Sequence, residues 1–346
     1  MNELENSAIK HQIYFEKYKN GHANEIISLL DKANKDISFY IKQTHDISTK
    51  KRYLEISRKI KDIAKSLREN VDNKTDVDSV IRYELKKQKK ILDSVKDQIK
   101  KIKGGNVNFL YPSFEQIKTA VVFKPAGDSL TYQSYLNGIE SGLYNVWDSA
   151  VRTGYLVGIP TKDIVDNVVG SVSKTAQLTN PGSINALRNS VWSNTRTLLQ
   201  SFASETRNKI FQENEKYFGD NSTNFKYEYL ATLDARSCLV CANDDGHLFK
   251  SLRECPSIPR HRGCRCLVIP YLGYIDGESR SSEYGYISDK VTFGSWLKKQ
   301  NDAVKKEILG KSRFKMYKEG KSITSFVENG RILTIKELNE KLKDEE

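Results

Sequence analysis

The chain has 346 residues, 38% hydrophobic and 29% charged: enough apolar content for a buried core, with much of the surface left facing water. No apolar run approaches the roughly 20 residues that span a bilayer, and the charged N-terminus lacks an apolar h-region, so no membrane partner and no secretory leader are expected and the chain is expected to start in a cytoplasm. The net charge of +12 favours non-specific contact with polyanions such as DNA; the plainer reading is that lysine keeps the surface soluble.

In chain order, residues 1–103 read as a long, charged, helical N-terminal arm. They hold 24 basic and 16 acidic residues, no proline, and almost no glycine before Gly104 and Gly105. Apolar residues recur at helical steps: Ile56, Ile60, Ile63, Leu67, then Ile81, Leu85, Leu92, Val95, Ile99 and Ile102. These steps place them on one narrow stripe, suited to a helix pair or a partner surface. The charges between them read as solvated faces, with DNA contact as the sharper alternative.

Gly104, Gly105 and Pro112 mark a boundary. Residues 113–218 read as a helical domain, with helices over 129–155 and 161–178 separated by Gly158-Ile159-Pro160. Thr161 is placed to cap the second, and Ser183 to cap a long helix that runs to about Tyr217. Residues 225–272 differ. The run 225–234 is aromatic and β-branched and reads as a strand; Asp245-Gly246 reads as a turn that returns a second; Cys266–Ile269 reads as a third, stopped by Pro270. Residues 290–346 read as a helical tail, with a short helix near Trp296–Leu309 and a last one over Ile335–Leu342, capped by Thr334 with Glu337 at the capping-box position. The fold class is therefore mainly α, with a small α+β module.

All five cysteines, Cys238, Cys241, Cys255, Cys264 and Cys266, fall inside that module. An odd, clustered set in a chain without a readable leader argues for one local site rather than a disulfide framework. Cys238 and Cys241 form a CxxC pair, and His261 and Cys264 a second close pair twenty residues on. Four soft or borderline donors in two close pairs suit a tetrahedral zinc ion. Cys266 is an alternate fourth ligand, because two residues apart on a strand share a face. Cys255 has no near partner and reads as a small hydrophobe. The competing reading is a cluster of reduced, packed thiols without metal.

Four protein ligands close the metal's shell, whereas a hydrolytic zinc keeps a position for water. No HExxH occurs, and no deaminase pattern. Hence the zinc is expected to be structural, supplying folding energy to a segment too small to be stable alone. The alternative, a metal-dependent nuclease or toxin-like effector, would recruit His247, which follows Asp244-Asp245-Gly246.

Taken together, Thr232, Asp234, Arg236, Cys238 and Cys241, then Asp245 and Gly246, then Pro259, His261, Cys264, Arg265, Cys266 and Pro270 resemble the signature of the phage Mu F-like head morphogenesis family. That family carries T-x-D-x-R-x-C-x-x-C, a D-G, and a closing H-x-x-C-R-C; Arg262 stands where it usually has proline. Downstream, Trp296, Leu297 and Gln300, then Leu309, Gly310 and Arg313, then Gly330, Arg331, Leu333, Thr334, Glu337 and Leu338 resemble its C-terminal pattern. The likeness covers about residues 180–340 and leaves the N-terminal arm without a counterpart. It implies a non-enzymatic minor capsid protein of a tailed phage, assembled in the host cytoplasm and carried in the virion. Its partners would be the portal protein, other capsid or scaffold proteins, and in some members DNA.

Overall fold

The computed structural model describes residues 3–44, 47–172, 178–180, 182–219, 224–273, 279–283, 285–288 and 290–344. Helix α1 (Glu3–Gln43) is followed by α2 (Lys50–Lys74), α3 (Val77–Ser94) and α4 (Lys96–Lys103). The Thr49 hydroxyl accepts the Arg52 N–H at the start of α2, and the Asp76 carboxylate accepts the Ser79 N–H at the start of α3. Each cap satisfies a donor that the first helical turn leaves free. In α2 the buried residues are Ile56, Ile60, Ala64, Leu67 and Val71; the stripe read from the sequence continues one turn further, with Ala64 enclosed in place of Ile63, which is only half-buried.

Next come α5 (Phe114–Phe123), α6 (Tyr132–Val157), α7 (Thr161–Val169) and α8 (Ile184–Asn214). Helix α2 lies along α6, and α1 along α8. The expected arm therefore does not stand apart. Ile26 and Ile37 of α1, Ile60 of α2 and Ile81 of α3 share one core with Ile139 and Trp147 of α6 and Leu198 of α8. Residues from both expected regions form a single helical body. Not all of its interior is apolar. Glu84, fully buried, accepts hydrogen bonds from His11 at 2.7 Å and Gln88 at 2.7 Å and pairs with Arg207 at 3.4 Å. Lys19, equally enclosed, donates to Gln200 at 2.6 Å and pairs with Glu16 at 2.5 Å.

Three local expectations need correction. The helix expected over 161–178 ends at Val169, because Gly170 turns the chain at φ 95° into strand β1 (Ser171–Val172), which pairs antiparallel with β2 (Leu178–Asn180). Thr161 is not the cap: Pro160 holds that position, and its fixed φ suits a helix entry. Ser183 precedes α8 in a helical conformation and makes no capping bond with its side chain.

The module's sheet has the order β4-β3-β5, from β3 (Tyr227–Leu230), β4 (Leu248–Phe249) and β5 (Leu267–Pro270), all antiparallel. The three expected strands are present with shifted bounds: the first is shorter than 225–234, and the third excludes Cys266 and includes Pro270, the expected stop. A short helix, α9 (Leu239–Asp244), begins at the first cysteine pair. A hairpin of β6 (Ser279–Ser282) and β7 (Gly285–Ser288) follows. The expected helix near 296–309 is divided into α10 (Phe293–Lys298) and α11 (Asp302–Lys318), because the Asn301 side chain accepts the Val304 N–H and starts the second; α11 is itself broken at Gly310 (φ 71°), directly after the expected end at Leu309. After the small hairpin β8 (Val327–Glu328) and β9 (Arg331–Ile332), α12 (Ile335–Asp344) opens with the expected capping box: the Thr334 hydroxyl accepts the Glu337 N–H, and the Glu337 carboxylate accepts the Thr334 N–H. Phe293, Trp296, Leu309 and Phe326 of this region pack with Leu239 and Ala242 of α9 in a core of their own. No described helix is long and apolar enough to cross a membrane.

Candidate metal centre

The first ligand pair sits on a rigid turn. The Ser237 hydroxyl donates to the Thr232 carbonyl, and the Asp234 carboxylate accepts the Arg236 N–H at 2.9 Å. Asp234 is in turn gripped by both terminal nitrogens of Arg265, which reaches across from the second ligand segment. This forked pairing holds the Asp234 carboxyl below its usual range: burial opposes ionisation, and Arg265 outweighs it. Cys238 then occupies the N-cap of α9, where its sulfur accepts the Cys241 N–H at 3.4 Å. A sulfur taking a serine's place at a helix cap is a site prepared for negative charge.

The second pair sits on the turn 261–264, closed by the Cys264 N–H donating to the His261 carbonyl at 3.1 Å, with Gly263 at φ 74°. The turn is pressed onto the helical body. The Gly263 N–H donates to the Thr197 hydroxyl of α8, and a Cβ at Gly127 would lie 3.1 Å from the His261 nitrogen and the Pro259 oxygen. Arg260 pairs with Asp244 at the end of α9, which fastens the two ligand segments together a second time.

The donor atoms meet in two overlapping triangles. Cys238, Cys241 and His261 lie within 4.8 Å of one another, and so do Cys241, Cys264 and Cys266. His261 Nε2 is 3.1 Å from the Cys238 sulfur and 3.3 Å from that of Cys241. Its Nδ1 lies 2.9 Å from the Arg262 carbonyl oxygen. A proton on Nδ1 donated to that carbonyl leaves the Nε2 lone pair aimed at the sulfurs, the tautomer a metal ligand requires. Cys241, Cys264 and Cys266 are buried; Cys238 and His261 are half-buried.

Electrostatics alternate around the cluster. Hydrogen bonding from Cys241, then from His261, holds the Cys238 thiol down to about 4 against its burial. Cys241 likewise draws Cys264 well below the ordinary thiol range, whereas Cys241 is itself raised, first through Cys238. For Cys266 the pull of Cys241 is outweighed by Cys264 and by burial, and the thiol stays high. His261 is raised to about 9, chiefly by its bond to Cys238. Protons here sit where a cation is wanted. Three or four sulfurs and one imidazole, with no carboxylate among them, form the donor set of a thiophilic ion, and the enclosed geometry suits a fixed one. The cluster can hold a metal ion.

The structure thus brings together Cys238, Cys241, His261, Cys264 and Cys266. It leaves Cys255 aside, where its thiol donates to the Ser251 carbonyl and burial pushes it up to about 12. His247 is exposed, pairs with Asp244 at 3.8 Å, and belongs to neither triangle of donors. Cys264 and Cys266 do not share a strand, since β5 begins only at Leu267.

Two features escaped the sequence. Asp245, read as a turn residue, is a buried junction. Its carboxylate accepts the Ala231 N–H at 2.7 Å and the Phe293 N–H at 2.6 Å and pairs with Arg280 at 3.0 Å, while Arg280 also reaches Glu5 of α1 at 3.4 Å. Tyr229, read as a strand residue, turns a fully buried ring toward the sulfurs. Neither has a local signal: Arg280 lies 35 residues from Asp245, and Tyr229 alternates like any strand aromatic. No family model, no curated protein and no solved structure matches this chain.

Proposed function

We propose that the chain is a structural minor head protein of a tailed phage, located at the portal vertex, and that its cysteine-histidine cluster holds one structural zinc ion. The observation that carries this reading is what the signature residues do. Thr232 and Asp234 shape the turn ahead of Cys238; Arg265 ties that turn to the second ligand segment; Asp245 anchors the sheet to the C-terminal helices. Each is used up in holding the module together, which favours a part in architecture over one in turnover.

Zinc suits the role. With three thiolates and an imidazole it has a full tetrahedral shell and no position for a reacting water. When bound, it supplies a cross-link between α9 and the turn 261–264 in addition to the Asp234–Arg265 and Asp244–Arg260 pairs. The protein partners implied are the portal and neighbouring capsid or scaffold proteins, with DNA as a non-specific partner of the basic surface. Assembly would take place in the host cytoplasm.

Mass spectrometry of purified particles tests the reading directly. The chain is expected in mature heads and in a pull-down with the portal protein. Consistent absence from particles that contain portal would overturn it.

A further inference from the structure

A surface helix ordinarily turns its apolar stripe to the core and its charges to water. Over its first half, α1 does the reverse. The side chains it turns inward include Glu5, His11, Gln12, Lys19 and His22, all buried. Lys10, Ile13, Tyr14, Lys17 and Tyr18 face outward, with Ile13 49% and Tyr14 65% exposed. Their spacings of one, three and four gather these five on one side of the helix. Beyond Ala23 the usual order returns, and Ile26, Leu30, Ile37 and Ile41 enter the core. The reversal is thus confined to the stretch whose Ala8 and Ile9 pack on Leu230 and Leu267 of the module. Single exposed apolar residues are ordinary, whereas a contiguous set marks an interaction surface.

The outward stripe has a different neighbour on each flank. On one side is a cleft of about 360 Å³ between α1, the sheet and the β6–β7 hairpin, with Ile9, Ile13, Leu230 and Leu267 as its apolar lining. On the other, Tyr18 stacks on the partly exposed Tyr83 of α3, ring centres 6.4 Å apart. The charges around the cleft differ in how they are used. Its carboxylates are engaged: Glu16 with Lys19 and Arg196, Asp234 with Arg265, and Glu283 with the Ala235 N–H. Its outer cations are not. Lys17 lies over the Tyr14 ring and has no carboxylate partner among the described residues. Arg236, 82% exposed, reaches only the already paired Asp234, at 3.8 Å.

We propose that this surface docks a segment of a partner protein that sets an apolar side chain in the cleft and carboxylates against Lys17 and Arg236. Charge complementarity selects that occupant. A second copy of the chain carries the same net charge of +12 and meets the surface with like charge. A nucleic-acid backbone would bring its phosphates toward Glu16, Asp234 and Glu283 and leave the isoleucines and leucines without a partner. An acidic segment with an aliphatic or aromatic anchor satisfies both the lining and the rim. Ile13 is the anchor's contact, and Tyr14 and Tyr18 extend the surface beyond the cleft, as aromatic side chains do at protein interfaces. The docking surface stands apart from the cysteine cluster and needs no metal.

Selection of a displayed library of short random peptides on the full-length protein tests this. Enriched peptides are expected to share an aliphatic or aromatic residue flanked by aspartate or glutamate. The strongest of them, synthesised and labelled, should bind the wild-type chain with an affinity that falls as salt rises. Ile13→Glu should weaken it about 30-fold, the scale of losing an interface anchor. Lys17→Glu should weaken it about 10-fold and flatten the salt dependence. Both positions are exposed, so the fold should persist by circular dichroism. Phe39→Ser, 64% exposed on the other half of α1, should leave binding unchanged. Absence of enrichment, enrichment of basic or uncharged sequences, or binding indifferent to both Ile13→Glu and Lys17→Glu overturns the proposal. So does a wild-type chain that dimerises in sedimentation and becomes monomeric in Tyr14→Glu, which would give the surface to a second copy.

Discussion

The helical body and the cysteine module lie against each other and are held by different means. In the body, α2 and α6 press long apolar stripes together: Ile56, Ile60, Ala64 and Leu67 on one side, Ile139, Leu143, Trp147 and Val151 on the other, all buried. Each large side chain enclosed there contributes about 1.5–3 kcal/mol, and many do so at once. In the module the longest strands of the sheet have four residues, and β4 has two. Its fixed points are polar: the Asp234–Arg265 fork, the Asp245–Arg280 pair and the sulfur cluster. The body can lose any one contact and keep its core. The module has no such stripe of its own: Tyr227, Tyr229, Ile258 and Val268 borrow a core from Leu92, Ile99, Ile210 and Phe211 of the body, and its internal ties are the few polar ones.

Removal of the metal or of its central ligand should show the largest difference. Cys241 belongs to both triangles of donors. Cys241→Ser is expected to abolish stoichiometric zinc binding and to open residues 225–272 to protease while the helices of the body stay resistant. Structural zinc sites supply apparent binding energies of about 10–16 kcal/mol, more than a sheet this small contributes from apolar burial. Limited proteolysis read by mass spectrometry, with metal content measured alongside, checks this. A variant that lacks metal yet resists protease throughout would mean that the thiols are merely packed, and the contrast between the regions would vanish.

Arg280→Met should come next. The guanidinium is buried between Asp245 and Glu5, so its loss leaves carboxylates enclosed without a cation. Breaking a buried pair in this way costs about 3–5 kcal/mol. The expected result is a urea transition at clearly lower concentration, with the N-terminal end of α1 and the C-terminal helices losing protection from hydrogen exchange first, because Arg280 and Asp245 tie these two regions to the sheet. A midpoint within error of wild type would show that the junction is dispensable and that the apolar core the module shares with the helices is enough to hold it.

The same contrast explains what could be read in advance. Ile56, Ile60 and Leu67 reveal their helix because a buried stripe has a period, and Cys238, Cys241, His261 and Cys264 reveal their site because ligand turns have fixed spacings. The placement of the N-terminal helices has no such signal. The facing surfaces of α1, α3 and α8 are built partly from Lys19, Gln12, Gln200, Glu84 and Arg207, and a helix whose buried face carries charge and amide groups reads as solvated. Only long-range pairing shows that these groups satisfy one another, which is why residues 1–103 resemble a free arm. The β6–β7 hairpin was missed for a related reason, since Ser279–Ser282 has no apolar alternation and is held instead through Arg280.

The smallest effect is expected at His247, and it tests the comparison from the side of function. Its main chain is structural: the N–H donates to the Asp244 carbonyl, and its own carbonyl accepts the Tyr229 N–H at 3.0 Å. The side chain is not, being exposed and joined only loosely to Asp244. His247→Ala should therefore shift stability by no more than about 0.5 kcal/mol, the range for surface positions that carry no special feature. Metal content should be unchanged, and plasmid DNA incubated with magnesium or manganese should stay intact with either protein. Robust cleavage by the wild-type chain, lost in His247→Ala, would mean that the module's polar residues serve a reaction, and its dependence on a few buried charges would then be the cost of a site rather than of a small fold.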